Sequence, residues 1–195
     1  MDFKGKVVLI TGAGRGAGRR LAEELAARGA VIAANDISPI NVEEVTAGIH
    51  VSGGKAKAYI EDVAKKVGAQ MLVKSVEDEF GTIDVLINHA AVKPHTPLLN
   101  MDEWDWHRVL DVNLTGAFLM VQSTGRVMRE KGRGVILSLV PGAGQRSGQE
   151  AGAYFASKAG LVELSHRADA ELSPHGVRVY AVESFEEVLR ILEEA

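Results

Sequence analysis

The 195-residue sequence contains no cysteine. That excludes disulfides, thiolate metal sites and cysteine nucleophiles, and it fits an intracellular chain. No apolar run approaches the length needed to span a bilayer. The first apolar stretch, residues 7–10, is too short for the core of a secretory signal, so the cytoplasm is the expected location. There is no surplus of positive charge: the formal net charge is −4 with both signs interspersed. Nothing therefore invites nucleic acid or an anionic membrane surface. The six histidines show no pair at metal-ligand spacing with a supporting carboxylate cluster, so no metal is expected. Linkers, internal repeats, low-complexity tracts and shifts of composition are also missing, and residues 1–195 read as a single domain.

What is present is a regular alternation. Apolar runs at 6–11, 30–35, 55–60, 83–88, 134–140 and 177–182 read as strands buried on both faces. Between them lie helical patterns at 19–28, 40–51, 63–80, 102–130 and 153–172, and an amphipathic helix follows at 184–194. Strands that alternate with helices predict an α/β fold with three layers, a doubly wound parallel sheet of the Rossmann type in the order 3-2-1-4-5-6. Glycine is abundant, at 21 residues, which predicts tight turns and close backbone approaches.

One glycine cluster sits where its chemistry can be used. Thr11-Gly12-Ala13-Gly14-Arg15-Gly16-Ala17-Gly18 joins the first strand to the first helix. Small residues let the main chain approach a pyrophosphate, which the amides at the helix start then meet. Asp36 ends the second strand, eighteen residues beyond Gly18. A carboxylate there accepts both ribose hydroxyls of an adenosine and repels a 2′-phosphate. Arg15 pulls the other way, since a basic side chain meets a 2′-phosphate. The carboxylate is the more direct determinant, so the sequence favours NAD over NADP.

Tyr154 and Lys158 are four residues apart on one helical face, after the fifth strand and hence at the carboxyl edge of the sheet. An ammonium beside a phenol stabilises the phenolate and predicts a lowered tyrosine pKa suited to proton transfer. With these residues in place, the chain resembles the short-chain dehydrogenase/reductase family over nearly its whole length. Residues 11–18 match the family's T-G-x-x-x-G-x-G. Asp62-Val63 matches a pair that contacts adenine, and Asn88-His89-Ala90-Ala91 is a variant of N-N-A-G. Asn113 matches the catalytic asparagine, and Tyr154 with Lys158 the catalytic pair. The resemblance implies a dinucleotide site of Gly12, Arg15, Gly16, Gly18, Asp36, Asp62, Val63, Asn88 and Ala90, with Tyr154 and Lys158 at its nicotinamide end. It implies hydride transfer at nicotinamide C4, proton exchange at Tyr154, a ribose contact by Lys158, and a relay water steadied by Asn113.

Two features depart from the pattern. The family's catalytic serine falls at Pro141, which has no hydroxyl. Ser138 is the nearest hydroxyl and the candidate for that role, although an offset of three residues along a strand points it to the opposite face. A bulge, or Ser147 in the following loop, would be another solution. His89, in place of the second asparagine, is expected to pack or to bond the backbone. The second departure follows the sixth strand, where the family has a Pro-Gly turn, a substrate-covering segment and a seventh strand. Here Ala181-Val182-Glu183-Ser184 leads directly into the last helix, so a seventh strand is expected to be missing. The expected activity is an NAD(H)-dependent oxidoreductase acting on a small secondary alcohol or ketone. The competing reading is a non-catalytic dinucleotide-binding or interaction protein on the same scaffold. A sugar epimerase or dehydratase is disfavoured, because those carry a further substrate domain. The helices at 102–130 and 153–172 match those that pair in the family, which predicts a homodimer.

Overall fold

The computed structural model describes residues 2–140 and 151–195. Pro141 and Ser147, both weighed above, lie outside them. β1 (Val7–Thr11) is buried at every position, because it runs between two parallel neighbours and is covered on both faces. β2 (Val31–Asp36) pairs with it on one side, Thr11 opposite Asn35, and β4 (Val85–Asn88) on the other, Thr11 opposite Asn88. β3 (Lys55–Ile60), β5 (Gly134–Leu139) and β6 (Val177–Val182) complete a six-stranded parallel sheet in the order β3-β2-β1-β4-β5-β6. This is the predicted doubly wound order. The two edge strands carry exposed cations, Lys55 and Lys57 on β3 and Arg178 on β6, which discourage further strand pairing.

Alternation along the strands sends side chains into two cores. Val8, Ile10, Ile32 and Leu137 meet Leu21 and Leu25 of α1 (Gly16–Ala27), Val42 and Val45 of α2 (Pro39–Val51), and Val188 and Leu192 of α7 (Phe185–Glu194). Val7, Leu9, Leu86 and Ile136 face the opposite way. They pack on Leu72 and Val76 of α3 (Lys66–Phe80) and on Met120 and Met128 of α5 (Ala117–Lys131). α6 (Gly152–Leu172) joins that layer through Leu161, packed with Val140. Among the described residues no helix is long and apolar enough to cross a membrane.

Most boundaries fall within two residues of the sequence expectation, and three larger differences have local reasons. α1 starts at Gly16 rather than 19, since the glycine loop winds straight into the helix. α3 starts at Lys66 rather than 63. Asp62 first closes a turn, its Oδ1 accepting from Ala64 N and its carbonyl from Lys65 N, both at 3.0 Å. The long helical region at 102–130 is divided into α4 (Glu103–Leu110), a π-helical segment (Asp111–Gly116) and α5. Gly116 lets that segment lie against the turn after β3, since a Cβ there would sit 3.2 Å from Val63 O.

Candidate active site

The loops after β1, β2, β3 and β4 open at the carboxyl edge of the sheet, where the reversal of strand order leaves a crevice. The glycine loop forms its floor. Gly12 has φ of +67°, and a Cβ on it would lie 2.8 Å from Ala90 Cα. A Cβ on Gly18 would collide with Gly12 O and sit 2.7 Å from His89 Nδ1. The backbone therefore comes as close as it can to the β4 loop, as a phosphate cradle requires. Arg15 occupies the N-cap of α1 in an extended conformation and makes no capping bond with its side chain. The amides of the first turn, from Gly16 onwards, thus keep their donors for an anion.

His89 has a definite place in this cradle. Its Nδ1 lies 3.0 Å from Gly12 O, and since a carbonyl only accepts, Nδ1 carries the hydrogen. Burial pushes the imidazole below its ordinary pKa, against the raising effect of that bond. The expected backbone bond is therefore found, and it holds the first glycine of the loop. Thr11 Oγ1 accepts from His89 N and Ala90 N at 3.2 Å, fixing the β4 loop to β1.

Asp36 stands at the side of the crevice. Its Oδ2 accepts from Gly14 N and its Oδ1 from Ser38 N, each at 3.0 Å. Each oxygen keeps a further lone pair for another donor. Asn35, which the sequence reading passed over, sends its amide to Tyr59 O at 3.1 Å and Glu61 O at 3.0 Å. This holds β2 and β3 level where Asp36 and Asp62 project. The resulting cavity of about 480 Å³ is lined by Gly12, Arg15, Asp36, Asp62, Val63 and Ala90 among others. Predicted contacts from four separate parts of the sequence thus meet in one space.

Asn113, on the π-helical segment, is 1% exposed. Its Oδ1 accepts from Val92 N at 2.8 Å, and its Nδ2 donates to Val92 O at 2.9 Å and to Ser157 Oγ at 3.1 Å. Ser157 Oγ in turn donates to Tyr154 O at 2.6 Å. The asparagine therefore joins the β4 loop to the start of α6, where Tyr154 and Lys158 lie. Lys158 is 4% exposed. Its Nζ donates to Leu139 O at 2.7 Å and stands 5.8 Å from the Tyr154 ring centroid. Burial lowers the ammonium pKa to about 8. The phenol of Tyr154 is raised above its ordinary value, also by burial. The sequence reading predicted the opposite shift from the neighbouring ammonium, but desolvation of this half-buried ring dominates.

Ser138 and Asn88 lie inside the sheet. They are register partners across β4 and β5. Neither the Ser138 hydroxyl nor either polar atom of the Asn88 amide has a hydrogen-bond partner among the described residues. Ser138 is fully buried. The structure therefore does not bring it to the surface of the crevice with Tyr154. Lys93, absent from the sequence-based candidates, does reach the tyrosine, its Nζ 5.1 Å from the ring centroid. No short pattern marks it, because its position depends on how the β4 loop folds.

This arrangement has counterparts. A sequence model described as short chain dehydrogenase matches residues 6–184. The D-threitol dehydrogenase of Mycolicibacterium smegmatis is 37% identical over 183 residues, spanning 93% of this chain and 70% of that protein. The structure of an NAD+-bound xylitol dehydrogenase superposes with a TM-score of 0.89 at 33% identity, covering 94% of this chain and 71% of the other. A metagenomic short-chain oxidoreductase in complex with NADP gives a TM-score of 0.93 at 28% identity, covering all of this chain and 93% of its own. Motif, crevice and relatives agree, and the chain belongs to the short-chain dehydrogenase family of oxidoreductases.

Proposed function

We propose that the protein is an NAD(H)-dependent oxidoreductase that interconverts a small secondary alcohol and its ketone, with Tyr154 as general acid and base. The observation that carries this reading is the junction, by way of Asn113 and Val92, of a tyrosine–lysine pair to a glycine loop packed so closely that a Cβ at Gly12 or Gly18 would collide with the β4 loop or the loop's own backbone. A bound nicotinamide supplies the carbon that gives or accepts hydride. The chain's own groups do the rest. The first-turn amides of α1 meet the pyrophosphate, and Asp36 accepts from the adenosine ribose with the lone pairs left free by Gly14 and Ser38. Asp62 and Val63 border the adenine, while Asn88 and Ala90 shape the wall behind it. Lys158 binds the nicotinamide ribose, and Asn113 fixes the β4 loop on which the substrate rests. Tyr154 Oη protonates the ketone oxygen during reduction and takes that proton back during oxidation. A phenol is protonated at neutral pH, which suits it to the reducing direction.

Relatives named for threitol and xylitol support a secondary alcohol as the substrate class. Relatives are found with both NAD+ and NADP, so the preference for NAD rests on the Asp36 carboxylate facing the ribose. Ser138 remains a candidate for the family's serine only if β5 rearranges when substrate binds. A homodimer through α5 and α6 completes the proposal.

Fluorescence titration with NADH and NADPH, followed by ketone reduction, tests the reading. Tyr154→Phe should cut turnover by at least about a hundredfold while leaving NADH affinity nearly intact. Asp36→Ala should weaken NADH binding relative to NADPH. Turnover that survives in Tyr154→Phe would remove the phenol from the mechanism.

A further inference from the structure

One stretch of the crevice wall is lined mainly by cations. Beside the main cavity is a second one, of about 400 Å³, whose lining includes Arg15, Val92, Lys93, Pro94, Asp105 and Arg108. Three cations thus share a concavity with one carboxylate. None of the three has a carboxylate within ion-pair distance among the described residues. Arg108 stacks on Trp104 at 5.2 Å instead. Lys93 reaches over two aromatic rings, 5.1 Å from the Tyr154 centroid and 5.5 Å from that of Phe155. Three like charges beside a single carboxylate repel one another, and the ring contacts of Lys93 and Arg108 offset this only in part. An anion entering the cavity relieves the repulsion.

The location restricts which anion fits. Arg15 belongs to the phosphate loop and Lys93 touches the proton-transferring tyrosine, so the cavity lies between the dinucleotide cradle and the reacting side chain. We propose that Arg15, Lys93 and Arg108 form an anion subsite, and that the natural substrate is a secondary alcohol or ketone carrying a carboxylate or phosphate. The inference rests on the oxidoreductase reading for the role of Tyr154. Lys93 is the specificity-determining residue. It holds the acidic end while the carbinol carbon lies at the phenol, and its flexible stem adapts to acids of slightly different length.

Lys93→Gln, Lys93→Glu and Lys93→Arg test this, since the side chain is exposed and its loss leaves the core intact. In the wild type, kcat/KM for 3-hydroxybutyrate should exceed that for 2-butanol, which has a similar carbinol and no charge. The ratio of the two should fall about tenfold in Lys93→Gln, further in Lys93→Glu, and recover in Lys93→Arg. A sugar phosphate tested against its parent sugar alcohol separates phosphate from carboxylate. NADH affinity should stay within about twofold throughout, given the exposed position of the charge. A large loss of NADH affinity would assign these cations to the cofactor's own phosphates and overturn the proposal, as would a ratio unmoved by substitution. Calorimetric titration with malonate and with inorganic phosphate separates the two readings. If no substrate turns over but malonate or phosphate binds the wild type and not Lys93→Glu, the subsite stands and the oxidoreductase reading falls. Equal binding to both proteins, or none to either, overturns the subsite.

Discussion

Lys158 sets the stability of this fold against its chemistry. An ammonium that is 4% exposed, with one carbonyl partner, is costly to keep charged, and its pKa falls from 10.5 to about 8. The direction of the linkage follows from that shift. Below pH 8 the folded and unfolded chains both carry the proton, and the full cost of burying the charge falls on the folded state. Between pH 8 and 10.5 the unfolded chain binds more protons, so stability rises with pH. At about 1.4 kcal/mol per pKa unit, the burden is roughly 3 kcal/mol at neutral pH. Methionine fills a similar volume without charge but forfeits the bond to Leu139 O, worth about 1 kcal/mol. Lys158→Met should therefore be more stable than the wild type by about 2 kcal/mol at pH 7, with most of the gain gone by pH 10. Urea denaturation at the two pH values measures this, and turnover should be lost in the same variant. A variant less stable at pH 7, with no change on going to pH 10, would mean that the buried charge is not a burden. Single residues of this kind show why activity and stability diverge at a site.

At the scale of elements, the π-helical segment links the catalytic helix to the β4 loop. Its Asn113 satisfies both backbone groups of Val92 and a hydroxyl on α6. Asn113→Leu leaves those groups buried and unpaired, and should cost about 3 kcal/mol. Hydrogen exchange of the Val92 amide, protected in the wild type, should become fast in the variant, and NADH affinity should weaken with it. A slow Val92 amide in Asn113→Leu would show that other contacts hold the loop. The segment also marks the limit of what a sequence discloses. Strands such as β3 and β6 were predicted to the residue, because period and punctuation are local. A helix pattern at 102–130 gives no sign of an inserted residue, since apolar spacing survives a single widened turn. The glycine loop, Asp36, Tyr154 and Lys158 were legible because each sits at a fixed place relative to a strand end. Lys93 was not, since its role comes from how one loop lies against another. The tyrosine pKa was misjudged for a related reason: adjacency of charge is visible in i and i+4, but burial is not.

For the whole molecule, the proposed assembly turns on one surface. α5 and α6 enclose a shallow groove of about 240 Å³ whose apolar lining includes Phe118, Val121, Leu164 and Leu172. Phe118 is 40% exposed, a large apolar group at a helix face where a monomer gains nothing by showing it. In a two-fold dimer the same patch meets itself, so every lining residue faces the same set. Around the apolar centre stand Arg126, Arg129, Arg167 and Glu171. Three cations against one carboxylate bring like charges together across the axis. Part of that repulsion is offset within each protomer, because Arg167 pairs with Glu163 at 2.6 Å, but Arg126 and Arg129 have no such ion pair among the described residues. Apolar burial then favours the dimer while charge opposes it, and salt screens only the opposing effect, over roughly 10 Å at 0.1 M. The proposed homodimer should consequently tighten as salt rises from about 0.05 to 0.5 M, the reverse of an interface held by ion pairs. Sedimentation velocity at micromolar concentration across that range reads the effect directly. Phe118→Asp, which places a carboxylate at the centre of the patch, should leave a monomer at every salt concentration, with NADH affinity unaltered because no residue of the groove lines the main cavity of the crevice. A dimer that loosens with salt, or one that survives Phe118→Asp, would move the interface to another face of the molecule.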